Sequence, residues 1–156
     1  MPPETAAATD LVFHPDNPRQ GDIGAIAESI ATHGWFGVVI AQRTTGRILA
    51  GNHRVRAAIH LGMADIPVHW VDCDDDQARQ ILLADNRTSD LASYDNHHLA
   101  TLLAEIHNTS GDLAGTGWDG DSLDALLSDI NCGGPFPGEL DGPNLCPMCG
   151  QERPTP

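Results

Sequence analysis

Lysine is absent from this chain of 156 residues: its eight basic residues are all arginine, against 22 aspartates and glutamates, and the net charge is −14. Residues 1–87 hold seven arginines and eleven acids, whereas residues 88–156 hold eleven acids and only Arg153. A protein that coats DNA needs a clustered cationic face, and the second half cannot supply one. Contact with DNA is therefore expected to be weak, confined to the first half, or made through a partner.

Long apolar runs are also absent, since no segment approaches the ~18 residues that a membrane span needs. The start, M-P-P-E-T-A-A-A-T-D, has neither the basic region nor the apolar stretch of a signal peptide, so a cytoplasmic protein without membrane contact is expected. Without a secretion signal, the four cysteines do not indicate a disulfide framework. Hydrophobic residues make up 40% of the chain, which is enough for a core.

The hydrophobic pattern mixes strands and helices, which predicts an α+β or an α/β domain. Asp22 is a good N-cap for a helix that Gly34 ends, and three acids at 74–76 favour another helix start. Strands are expected at 38–41, 48–50 and 66–71. The predicted organisation is a disordered leader (1–9), the α+β domain (10–95), an acidic helical extension (96–130) and an irregular tail rich in Gly and Pro (131–156).

The segment T-G-R-I-L-A-G-N-H-R-V-R-A-A carries the clearest chemical signal. A strand ends at Ala50, Gly51 permits a tight turn, and a helix then begins with His53 and Arg54 as potential donors to an anion. The unpaired N–H groups at a helix N-terminus attract phosphate or carboxylate. The alternative is an ordinary strand–turn–helix with exposed arginines.

This segment resembles the second box of the ParB/sulfiredoxin superfamily, in which G-E-R-R or G-C-H-R opens a phosphate-binding helix. Three further blocks agree in order: I-A-E-S-I-A-T-H-G-W-F-G-V-V-I upstream, and G-M-A-D-I-P-V-H-W-V-D and D-D-D-Q-A-R-Q-I-L-L-A-D-N-R-T-S-D downstream. The last is similar to the family's third box, usually E-N-x-x-R. The resemblance covers residues 11–95 and implies a compact ParB/sulfiredoxin-like fold of the α+β class, with a small mixed sheet and flanking helices.

The resemblance also implies roles for individual residues. It places the nucleotide phosphates, of CTP or ATP, at the turn of Gly51, Asn52, His53 and Arg54. It places Mg²⁺ between those phosphates and the acid–amide pair Asp85 and Asn86. Glu28 lies where relatives with kinase activity have a catalytic acid, although a solvated surface acid is the alternative.

Two departures from the family pattern narrow the function. Asn52 stands in place of sulfiredoxin's reactive cysteine, which excludes sulfinic acid repair. Residues 96–130 lack the arginines or lysines of the helix-turn-helix that follows in chromosome-partition ParB, which makes recognition of a centromere-type sequence improbable.

The chain instead resembles stand-alone ParB-like proteins of phages and mobile elements. That type implies a nucleotide-binding, potentially NTP-hydrolysing module of DNA metabolism, with a DNA methyltransferase or other DNA-processing partner and a homodimer as candidate assemblies. A phosphotransferase of the free-serine-kinase type and a non-catalytic adaptor remain as alternatives.

The segment C-P-M-C-G has the spacing of a zinc knuckle, with Cys146 and Cys149 as two thiolate ligands. Zinc needs four ligands, and Cys132 is the nearest upstream cysteine. A fourth ligand could come from His107 or from a second chain, and a decayed knuckle without zinc is the alternative.

Overall fold

The computed structural model describes residues 4–133. Four strands and five helices follow one another along these residues: β1 (Glu4–Ala7), α1 (Ile23–His33), β2 (Val39–Gln42), β3 (Ile48–Ala50), α2 (Asn52–His60), β4 (Asp65–Val71), α3 (Asp75–Asp90), α4 (Asn96–Ser110) and α5 (Gly120–Gly133). None of these helices is long and apolar enough to cross a membrane. The described residues form two compact units, which divide between Ser93 and Tyr94.

The first unit is built on a mixed sheet with the strand order β1-β4-β2-β3. β4 is parallel to β2 and antiparallel to β1, while β3 is antiparallel to β2. The parallel pair is possible because the chain crosses from β2 to β4 through β3 and α2. The two central strands bury Val39, Ala41, Ile66 and Val68 completely. The expected small mixed sheet with flanking helices is thus confirmed.

The expected disordered leader over residues 1–9 is wrong where the structure describes it. Residues 4–7 form β1, which pairs with β4 from Glu4 opposite Val68 to Ala7 opposite Asp65. Ala8 follows, fully buried, with its N–H donating to the carbonyl of Ala64 at 3.0 Å. Alanine has little intrinsic strand propensity, so this strand depends on the edge of β4 rather than on its own sequence.

Aspartate side chains begin the helices as the sequence predicts. The Asp22 carboxylate accepts a hydrogen bond from the N–H of Ala25 at 3.0 Å, and that of Asp74 accepts from the N–H of Gln77 at 2.8 Å. Each bond satisfies one of the N–H groups that a helix start leaves unpaired. These caps fix where α1 and α3 begin.

A buried amide ties the start of α3 to the sheet. Gln42 is 1% exposed, and its Nε2 donates to the carbonyl of Cys73 at 3.0 Å and to the Asp75 carboxylate at 3.1 Å. The guanidinium of Arg47 lies 3.3 Å from the same carboxylate. The hydrogen bond from Gln42, and then the charge of Arg47, hold the pKa of Asp75 below its ordinary value, despite an opposing effect of burial.

The second unit has a small core between α4 and α5. Tyr94 packs edge-to-face against Trp118, with ring centroids 5.9 Å apart. Residues 94–133 contain seven acids and no arginine or lysine. The buried members of this core are Ala100, Leu103, Leu113, Leu123 and Leu126.

Candidate anion-binding cavity

The predicted strand-to-helix turn is present. β3 ends at Ala50, and Gly51 adopts the left-handed conformation, with φ 92° and ψ 20°, before α2 begins at Asn52. A Cβ at Gly51 would lie 3.4 Å from Cγ2 of Val39, so glycine suits both the backbone angle and the close approach of β2. Within residues 4–133 no side chain caps α2, which leaves its first N–H groups without a side-chain partner there.

A polar cavity of about 270 Å³ lies beside the start of α2. No carboxylate is among its lining residues, whereas two arginines and two histidines are. This composition favours an anionic ligand. The lining residues are Phe13, His14, Pro15, Asn17, Arg19, Asn52, His53 and Arg56.

Asn52 lines this cavity and also holds its wall together. Its Oδ1 accepts from the N–H of His14 at 3.4 Å, and its Nδ2 donates to the carbonyl of Ile48 at 3.3 Å. The side chain is 7% exposed. Both ends of the amide are therefore engaged by main chain, which gives Asn52 a structural role at the turn.

His53 lines the cavity in a defined orientation. Its Nε2 accepts a hydrogen bond from the N–H of Gly21 at 2.9 Å, so the proton of the neutral ring lies on Nδ1. A Cβ at Gly21 would approach the His53 ring to 3.0 Å, which shows how closely the loop passes over it. The ring thus links the loop before α1 to the first turn of α2.

Arg54 differs from the sequence expectation. Its Nη1 donates to the carbonyl of Val38 at 3.2 Å, and a Cβ at Gly37 would lie 3.3 Å from it. It is not among the residues that line the polar cavity. Successive residues of a helix point about 100° apart, and the side that carries Asn52 and Arg56 excludes Arg54.

Arg56 lines the cavity, although the sequence motif did not indicate it. Its guanidinium lies over the ring of Phe13, with Cζ 4.2 Å from the ring centroid. Among the described residues no carboxylate pairs with it, whereas Arg19, Arg43, Arg47 and Arg79 each pair with one. The i, i+4 spacing from Asn52 was the sequence signal that could have placed it in the site.

Arg19 connects the cavity to the end of α3. Its Nη1 donates to the carbonyl of Asn86 at 3.0 Å, and its Nη2 lies 3.0 Å from the carboxylate of Asp90. Asn86 in turn donates from Nδ2 to Oδ1 of Asn17 at 3.1 Å. The structure therefore brings Asn86, from the third box, to the loop that lines the cavity.

The other predicted magnesium ligand, Asp85, is exposed on α3, and its main-chain carbonyl accepts from the side chains of Thr88 and Ser89. No group of three or more His, Cys, Asp or Glu residues within 4–133 is arranged to hold a metal ion. One carboxylate and one amide leave most of the coordination of Mg²⁺ to phosphate oxygens and water. The magnesium site at Asp85 and Asn86 stays a prediction.

Two further predictions concern a catalytic acid and a zinc site. Glu28 is exposed on α1 and lines neither the polar cavity nor its neighbour, so this geometry gives the phosphotransferase alternative no support. The candidate zinc ligands Cys146 and Cys149, and the side chain of Cys132, lie outside the described residues. The zinc knuckle stays a prediction.

A second, more apolar cavity of about 370 Å³ adjoins the first, because Phe13 and Arg56 line both. Ile23, Ile59 and His60 complete it. Together the two cavities offer a polar end and an apolar end on either side of one arginine, which stacks on Phe13. A ligand with a charged group and a flat apolar group matches this arrangement.

Comparison with known proteins agrees with the sequence resemblance. Residues 15–87 match the model of the ParB N-terminal domain family. The fold is similar to that of the C-terminally truncated chromosome-partitioning protein ParB from Caulobacter crescentus complexed with CTP-gamma-S, with a TM-score of 0.60 and 18% identity over 83% of this chain and 87% of that one. The predicted ParB-like fold is confirmed.

A second solved structure, the Pnob8-like ParB-N domain, gives a TM-score of 0.48 with 16% identity, over 69% of this chain and 46% of that one. No curated protein sequence matches the chain.

Proposed function

We propose that this chain, whose first unit has the fold of the ParB N-terminal domain, binds a nucleoside triphosphate with its phosphates in the polar cavity. The observation that carries the proposal is the charge of that cavity: it is lined by arginine and histidine without a carboxylate, in a chain of net charge −14. A local cationic cleft concentrates anions even when the surrounding surface is acidic. The uncapped start of α2 adds N–H groups and a favourable helix dipole.

The adjoining apolar cavity extends the proposal to the rest of the nucleotide. A base could lie against Ile23 and Ile59 while Arg56, held over Phe13, contacts the phosphates from between the two cavities. The Caulobacter ParB of similar fold was solved with CTP-gamma-S, which supports a nucleotide as the class of ligand. CTP and ATP are the candidates.

A Mg²⁺ ion would be held by Asp85 and Asn86 together with phosphate oxygens. Asn86 contacts Asn17 and Arg19 in the loop that lines the cavity, so a ligand in the cavity can affect the end of α3. The ion would neutralise phosphate charge and bridge the phosphates to α3. Hydrolysis of the nucleotide would release phosphate, and measurement of that product tests whether hydrolysis occurs.

The wider role we propose is in the DNA metabolism of phages or mobile elements. The acidic second unit, without arginine or lysine in residues 94–133, suits a protein partner better than a DNA backbone. A DNA methyltransferase or another DNA-processing protein is the proposed partner, and a homodimer the proposed assembly. If the polar cavity binds no nucleotide, the alternative function is that of a non-catalytic adaptor that binds a protein partner.

The test is thermal unfolding of the full chain with CTP, ATP, GTP, UTP and inorganic tripolyphosphate, each with Mg²⁺ or with a chelator. A ligand at a hundred times its dissociation constant should stabilise the folded state by ~2.7 kcal/mol. Cytidine and adenosine, which lack phosphate, serve as controls and should have a much smaller effect. Absence of a shift with every nucleotide at millimolar concentration would overturn the proposal.

A further inference from the structure

His14 is a buried histidine with one partnered and one unpartnered ring nitrogen. Its Nδ1 accepts a hydrogen bond from the N–H of Asp16 at 3.2 Å. Its Nε2 is buried and has no hydrogen-bond partner among the described residues. The residue is 5% exposed and forms part of the wall of the polar cavity. Buried polar atoms nearly always have a partner, so this nitrogen needs an explanation.

The bond to Nδ1 determines what Nε2 can do. A ring nitrogen that accepts an N–H uses its lone pair, so the proton of the neutral imidazole lies on Nε2. Nε2 is therefore a donor, and in this tautomer it cannot ligate a metal ion. The partner that is missing must be an acceptor.

The surroundings hold the ring in this orientation. The main-chain N–H of His14 donates to Asn52, and Asp16 is fixed by an ion pair from its carboxylate to Nε of Arg79 at 3.0 Å. The ring is thus anchored from α2 on one side and from α3 on the other. His14 is part of the cavity wall, which makes a ligand in that cavity the candidate acceptor.

We propose that His14 determines the anion specificity of the cavity, with its Nε2–H donating to an unprotonated phosphoryl oxygen of the bound ligand. The inference rests on the proposed function, since a phosphate group must enter the cavity. A neutral donor at this position favours an oxygen that only accepts and disfavours a ligand atom that carries its own proton. The same chemistry would serve a nucleotide and a free polyphosphate.

The test compares two substitutions of the full chain that separate the two ring nitrogens. In His14→Gln the side-chain amide nitrogen can take the place of Nε2, whereas in His14→Asn the side-chain oxygen can take the place of Nδ1. Affinities for CTP, inorganic tripolyphosphate and cytidine are measured by calorimetry. His14→Asn should lose roughly ten- to a hundredfold for CTP and tripolyphosphate, as expected for a lost hydrogen bond to a charged group.

His14→Gln should remain within about fivefold of the wild type, since the longer amide loses some rotamer freedom when it is ordered. His33→Asn, at an exposed position outside both cavities, is the control and should bind like the wild type. If His14→Asn binds CTP and tripolyphosphate well and His14→Gln binds them poorly, only the contact at Nδ1 matters and the proposal is overturned. Equal binding by all variants overturns it as well. If the wild type itself binds neither CTP nor tripolyphosphate, that result contradicts the proposed function rather than the role of His14.

A measurement on the wild type covers the case in which a variant does not fold. Nitrogen-15 spectra of the histidine rings would follow the Nε2–H of His14 as tripolyphosphate is added. The proposal expects a downfield shift of that proton, slower exchange with water, and a coupling to phosphorus across the hydrogen bond. An unchanged Nε2–H at saturation would show that the nitrogen is satisfied by water, and would overturn the proposal.

Discussion

Replacement of Arg56 by glutamine tests the cavity through the one lining arginine that no carboxylate neutralises among the described residues. Arg56 lies over Phe13 and lines both cavities, so its guanidinium can meet a phosphate without first breaking an ion pair. A hydrogen bond to a charged group contributes about 1.5–3 kcal/mol. Because the Arg56 side chain is exposed, the lower end applies, which predicts a loss of roughly tenfold in nucleotide affinity.

The stability of the fold should change little in the same variant. The contact with Phe13 is a cation–π pair at an exposed site, which is worth about 0.5–1 kcal/mol. Urea unfolding should therefore show a small shift in midpoint, while calorimetry with CTP shows the larger loss in affinity. The two measurements together separate a binding defect from a folding defect.

Arg43→Gln is the matched control. It makes the same change in net charge, but Arg43 pairs with Glu4 and Asp72 and lines neither cavity. Long-range repulsion of the nucleotide rises equally in both variants, so any difference between them reports a local contact. Equal affinities for Arg56→Gln and Arg43→Gln would refute the placement of phosphate beside Arg56.

Three further outcomes are expected. Gly51→Ala should destabilise the fold by about 1–2 kcal/mol in urea unfolding, because φ is 92° and the new Cβ meets β2; Gly62→Ala, at φ 70° with nothing within 4 Å, should cost less. Asp85→Ala should weaken CTP binding in Mg²⁺ and leave binding in chelator unchanged or tighter, since a carboxylate repels bare phosphate; equal losses in both conditions would contradict the metal role. The hydrogen bond from Gln42 lowers the pKa of Asp75, so the stabilising contribution of Asp75 should be present above pH ~4 and lost as the pH falls through the depressed pKa. Acid unfolding of Asp75→Ala beside the wild type checks this, because the two stabilities should converge at low pH.

Local signals in the sequence predicted most of the first unit. Asp22 and Asp74 were recognisable helix caps, and the turn at Gly51 follows from glycine between an apolar strand and a helix. β1 could not be predicted in this way, because its alanines acquire a strand conformation only from pairing with β4. Pairing between residues 58 to 64 positions apart in sequence leaves no local pattern to read.

The residues that line the polar cavity were predicted only in part, for a similar reason. His14, Asn17 and Arg19 lie in H-P-D-N-P-R, where the prolines and the asparagine indicate a turn. That local pattern does not show that the turn lines a cavity. The family resemblance also placed phosphate at Arg54, whose side chain here donates to the carbonyl of Val38; its phosphate role stays a prediction. The i, i+4 relation within α2 would have favoured Arg56 instead.

Nitrogen-15 NMR of the full chain with CTP and with tripolyphosphate tests most directly whether phosphate binds in the polar cavity. We expect saturable shifts at the amides of Gly21 and residues 52–55 and at the Arg56 side chain, the same for the two ligands where phosphate binds. CTP alone should add shifts at Ile23 and Ile59, beside the apolar cavity. Shifts confined to residues 94–133, or no saturable shift with either ligand, would contradict this expectation.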